Sequence, residues 1–95
     1  MRHNSLYDPR YRAIISKLVQ ARKDAALNQR ELAERIGIGQ PELSKIERFV
    51  RKIEVLELID WIKATEVDGL EIVARALEEL RAEHKPRSQR SPGDL

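Results

Sequence analysis

The sequence predicts an all-α fold of five helices. Apolar residues recur every three or four positions through most of the chain, and helix-capping residues and glycines punctuate these runs. No stretch alternates polar and apolar residues as a half-buried strand would, and no internal repeat is present.

The elements follow in order. Residues 1–7 read as a loose arm; the arm is assigned as 1–10 and the domain proper as 11–85. Asp8-Pro9 supplies an N-cap and a proline at the first helical position, where its missing N–H costs nothing. Ile14, Ile15, Leu18, Val19 and Ala21 then keep helical spacing, carrying the first helix to about Ala25. Asn28 with Glu31 three residues on forms a capping box for a second helix, Gln29 to Ile36. Leu32, Ala33 and Ile36 share one face of it, and Gly37 ends it. A third helix runs from Gln40 to about Arg48, with Pro41 tolerated in its first turn and Leu43 and Ile46 turned inward. A fourth covers 54–65. A fifth, capped by Asp68 and Glu71, runs to about Lys85 before Pro86. Residues 86–95 carry almost no apolar content and read as a disordered tail.

Composition narrows the function classes. The 95 residues suffice for one modest helical core. Without cysteine there is no disulfide, thiolate metal site or thiol nucleophile. No apolar run approaches the ~18 residues of a membrane span, and the polar start lacks a signal-peptide core, so the expected location is the cytoplasm. His3 and His84 lie at or near opposite ends, and no phosphate-cradling loop or metal-ligand cluster appears; the sequence predicts no enzyme and no cofactor. Charge is unevenly spread. Residues 1–52 carry 12 Lys/Arg against 6 Asp/Glu, residues 53–84 carry 3 against 9, and residues 85–95 carry 3 against 1. A basic half next to an acidic one suits a surface that meets a polyanion on one side.

Two short helices joined by a glycine-containing turn have helix-turn-helix geometry, a weak signal by itself. The residues strengthen it. Leu27-Asn28-Gln29-Arg30-Glu31-Leu32-Ala33, then Ile36-Gly37, then Leu43-Ser44-Lys45-Ile46-Glu47-Arg48 resembles the lambda-repressor-like, or Xre, family of DNA-binding regulators over roughly residues 11–70. Ala33 is small where the second and third helices would cross, and Gly37 supplies a positive φ. The resemblance implies an ion pair between Arg22 and Glu47 that ties the first helix to the end of the third. It places the third helix in the major groove, with Gln40, Pro41, Ser44 and Lys45 facing bases. Gln29, Arg30, Arg48, Arg51 and Lys52 are the candidate phosphate contacts.

Two positions depart from the family pattern. Phe49 stands where glycine is usual after the Glu-Arg pair, so the third helix is expected to exit differently. Glu42 puts a carboxylate on the reading helix. It sits to one side near the helix N-terminus, accepts a bond from cytosine, or weakens binding.

The fourth helix is apolar at Val55, Leu56, Leu58, Ile59, Trp61 and Ile62, more than one core-facing stripe needs. The fifth adds Leu70, Val73, Leu77 and Leu80, with Ile72 and Ala76 beside them. Trp61, Leu70, Val73, Leu77 and Leu80 are therefore the expected homodimer interface, and a double-stranded operator the expected partner. An antitoxin whose main partner is a toxin protein is the alternative, and the controller of a restriction–modification system a third possibility.

Overall fold

The computed structural model describes residues 5–83, with side chains described to residue 78. A 3-10 turn at Ser5–Tyr7 leads into five helices: α1 (Pro9–Asp24), α2 (Gln29–Ile36), α3 (Gln40–Glu47), α4 (Val55–Thr65) and α5 (Gly69–Glu83). There is no strand among the described residues. The expected tail over 86–95, His3, His84 and the Leu80 side chain lie outside them.

Local chemistry sets the helix starts. The Asp8 side chain accepts from the Arg10 N–H at 2.8 Å, and Pro9 opens α1. At α2 the box is reciprocal: the Glu31 N–H donates to Asn28 Oδ1, and the Asn28 N–H donates to Glu31 Oε1, each at 2.8 Å. The arm differs from expectation, because it is structured from residue 5. Asp8 is buried, and the Arg12 guanidinium donates to the Leu6 carbonyl at 2.7 Å, which fixes the turn against α1.

The core gathers Ile15 and Leu18 of α1, Leu32, Ala33 and Ile36 of α2, Leu43 and Ile46 of α3, Trp61 of α4 and Ile72 of α5. It locks α2 and α3 at one angle while α5 packs chiefly on α1 and α4 on α2. Trp61 has to be withdrawn from the expected dimer interface. It is fully buried, and its indole N–H donates to the Leu18 carbonyl at 2.9 Å, as a buried indole requires. Its neighbours on α4 divide by face: Leu58 and Ile62 pack on the core, whereas Val55, Leu56 and Ile59 are exposed. On α5, Ile72 and Ala76 turn inward and Leu70, Val73 and Leu77 face outward.

The exit of α3 is also a correction. Phe49 itself adopts the left-handed conformation, at φ 62°, that glycine takes elsewhere. Its N–H donates to the Ile46 carbonyl and the Val50 N–H to the Lys45 carbonyl, at 3.1 and 2.8 Å. This is the usual Schellman closure, made without glycine. Holding a bulky residue there costs roughly 1–3 kcal/mol. Two contacts offset that cost: the ring packs against the core, and the Arg12 guanidinium stacks over it at 4.4 Å.

Candidate nucleic-acid interface

The site is built outward from a buried ion pair. Arg22, near the end of α1, meets Glu47, the last residue of α3. The guanidinium Nε lies 2.7 Å from Glu47 Oε2, its second terminal nitrogen 3.1 Å from Oε1, and both side chains are about nine-tenths buried. The remaining guanidinium nitrogen donates to the Leu27 carbonyl at 2.8 Å, just before α2. One arginine thus ties α1, the α1–α2 turn and α3 together, which fixes how α3 is presented.

The network continues to the surface. The Gln29 amide donates to Glu47 Oε1 at 2.9 Å, and the Gln40 amide donates to Gln29 Oε1 at 3.4 Å. Arg22, Asn28, Gln29, Arg30 and Gln40 line an open polar cleft of about 470 Å³ beside the start of α2. Gln40 and Pro41 are exposed at the first turn of α3. Lys45 is exposed one turn on, and the half-buried Ser44 hydroxyl accepts from Arg48 Nε at 3.1 Å. All four candidate base-facing residues thus belong to one short helix, with Gln40 tethered through Gln29 to the buried pair.

The candidate phosphate contacts separate. Arg30, Arg48 and Lys52 are exposed. Arg51 is not available in the same way. Its Nε lies 2.9 Å from Glu42, and its two terminal nitrogens meet the Glu57 carboxylate at 3.0 and 2.7 Å. One of them also donates to the Lys52 carbonyl at 3.0 Å. With every guanidinium nitrogen engaged, Arg51 acts as a strut between α3 and α4. The hydrogen bonds from Arg51 are the main reason the Glu57 carboxyl is held below its usual range, and Glu57 in turn raises the Arg51 pKa. Glu42 is flanked on one side by Arg51 and on the other by Lys45 Nζ at 3.6 Å, so its charge is largely neutralised.

Sequence reasoning missed Gln29 as a bridge and Arg51 as a strut. Their partners lie 18 residues away in one case and 6 and 9 in the other, across turns whose geometry no periodicity encodes. Tyr11 was missed as well. Its hydroxyl accepts the Ile53 N–H at 2.9 Å and pins the segment before α4 to α1.

A capped helix, a turn through Gly37 at φ 80°, and a second helix exposed at its start and buried at Leu43 and Ile46 form a helix-turn-helix. A family model described as helix-turn-helix matches residues 18–72. The chain belongs to the Xre and lambda-repressor-like helix-turn-helix family. The match takes in α2, α3, α4 and the second half of α1, and ends within α5. A comparison with curated proteins finds no match. Helix-turn-helix proteins of this family are DNA-binding regulators rather than enzymes. No helix among the described residues is long and apolar enough to cross a membrane.

Proposed function

We propose that this helix-turn-helix protein binds a double-stranded DNA operator sequence-specifically as a homodimer, and regulates transcription by occupying that site as a repressor does. One observation carries the reading: the exposed first turn of α3 is held by Gln29 and the buried Arg22–Glu47 pair, so a reading surface is preorganised before DNA arrives. Gln40, Pro41, Ser44 and Lys45 read base edges. Arg30, Arg48 and Lys52 hold phosphates, and Gln29 supports Gln40 at the backbone side.

The dimer is supported by Leu70, Val73 and Leu77, exposed along α5. Pairing two copies about a two-fold axis would set the reading helices ~34 Å apart, matching successive major grooves. A second exposed apolar set, Val55, Leu56 and Ile59 on α4, is one more face than a two-fold dimer needs. That surplus favours, as a second reading, an antitoxin that also binds a toxin protein.

Selection of bound duplexes from a random pool at two salt concentrations tests the function. Gln40→Ala is expected to weaken the preferred site by ~1–3 kcal/mol and relax the preference at one base pair. Arg48→Ala is expected to weaken all duplexes about equally and reduce the salt slope by about one. Binding no tighter than ~10 μM to any duplex at low salt overturns the regulator in favour of the protein-partner reading.

A further inference from the structure

Glu42 and Lys45 stand one turn apart on α3, each a little under half exposed, with Glu42 Oε2 3.6 Å from Lys45 Nζ. A carboxylate on a helix that enters the major groove is repelled by phosphates and loses hydration unless a donor meets it. Here Oε1 is held by Arg51 Nε at 2.9 Å, and Arg51 is itself fixed by Glu57. Oε2 faces Lys45 and, like any carboxylate oxygen, has more than one lone pair to offer.

The major groove presents two kinds of base N–H donor, cytosine N4 and adenine N6. The Lys45 ammonium is best served where two acceptors adjoin, as N7 and O6 do on guanine. Both requirements meet in one base pair. Guanine O6 and cytosine N4 are bonded to each other across the pair at ~2.9 Å, a spacing that the Glu42–Lys45 separation spans. An A·T pair offers the carboxylate adenine N6, but its two acceptors, adenine N7 and thymine O4, stand on opposite sides of that donor, so an ammonium beside the carboxylate meets only one of them.

We propose that Glu42 and Lys45 act as one reading unit that selects a G·C base pair in each half-site, the carboxylate accepting from cytosine N4–H and the ammonium donating to guanine O6 and N7. The inference rests on the DNA-binding reading above and adds the identity of one base pair to it. Arg51 is the positioning residue that keeps Glu42 in register with Lys45.

The test uses the full chain and the site returned by duplex selection. One G·C pair per half-site is expected, and its replacement by A·T is expected to weaken binding by about 5-fold to 150-fold, the equivalent of ~1–3 kcal/mol. Placing N4-methylcytosine at that position replaces the groove-facing N–H with a methyl group and keeps the pairing; it is expected to weaken the wild type comparably. The methyl effect is expected to shrink in Glu42→Ala, while 7-deazaguanine, which lacks N7, is expected to affect the wild type and not Lys45→Met. The modified duplexes need only the wild-type protein, so a variant that misfolds does not spare the proposal. A defined site that lacks this G·C pair, or one bound equally with and without the methyl group, overturns the inference and leaves sequence-specific binding standing. Failure to bind any duplex overturns both.

Discussion

Replacing the Glu47 carboxylate by an amide leaves the Arg22 guanidinium without its counter-charge in a site about nine-tenths buried, facing only neutral acceptors such as the Leu27 carbonyl. Glu47→Gln is therefore expected to cost roughly 3–5 kcal/mol in urea unfolding, as breaking a buried pair does. The exposed Arg75–Glu71 pair provides the control: Glu71→Gln is expected to change stability by less than ~0.5 kcal/mol. Equal, small losses would reduce the buried pair to a surface contact. Backbone conformation gives a second residue-scale expectation. Gly37 has φ 80° and nothing near the position a Cβ would take, so Gly37→Ala is expected to cost ~1–2 kcal/mol through conformation alone. Ala26 holds φ 60° at an exposed turn. There the opposite change, Ala26→Gly, is expected to raise stability by up to ~1 kcal/mol, the relief exceeding glycine's extra chain entropy. Thermal unfolding of the two variants checks both signs.

Between α3 and α4 the chain turns through Phe49 and is braced by Arg51 on Glu42 and Glu57. The Glu57 side chain also accepts the Glu54 N–H at 3.0 Å, so one carboxylate both caps α4 and anchors the strut. Its pKa is lowered in the folded protein, first by the hydrogen bonds from Arg51. A depressed carboxyl pKa contributes stability that is full above the unfolded value of ~4.3 and is lost as pH falls through the folded one. Glu57→Gln is accordingly expected to destabilise the protein at neutral pH and to flatten the decline in stability below about pH 4.5. Circular dichroism during acid titration reads the difference. Parallel acid transitions in the two proteins would show that Glu57 carries none of the acid sensitivity. If Glu42 and Lys45 read a base pair as proposed, this brace would set where they meet DNA.

For the molecule as a whole, the two exposed apolar faces make separable predictions. Sedimentation is expected to show a dimer at micromolar concentration that Leu77→Glu on α5 converts to monomer and Leu56→Glu on α4 does not. The reverse pattern would move the two-fold axis to α4 and leave α5 for another partner. A wild-type monomer at hundred-micromolar concentration would remove the dimer altogether.

The helices themselves were legible in the chain because their signals are local. Asp8-Pro9, Asn28 with Glu31, and Gly37 act within four residues of themselves, and the spacing of Ile15 with Leu18 or Leu43 with Ile46 reports a face directly. The match over residues 18–72 takes in Asn28, Glu31, Gly37, Leu43 and Ile46. Apolarity, however, does not say which of two apolar faces is inside. Trp61 and Leu56 look alike in the sequence, yet the first fills the core and the second faces solvent, a choice settled by how α4 docks on α2. Charge is equally silent about partners. Arg51 and Arg48 lie three residues apart, but the left-handed turn at Phe49 swings Arg51 between two carboxylates and leaves Arg48 outside. The sequence by itself determined the elements and the helix-turn-helix, since capping and periodicity act at short range. Which side chains meet across those elements depends on turns and packing angles that no single segment encodes, so the tertiary structure alone decided the Gln29 bridge, the Arg51 strut and the surface that Glu42 and Lys45 share.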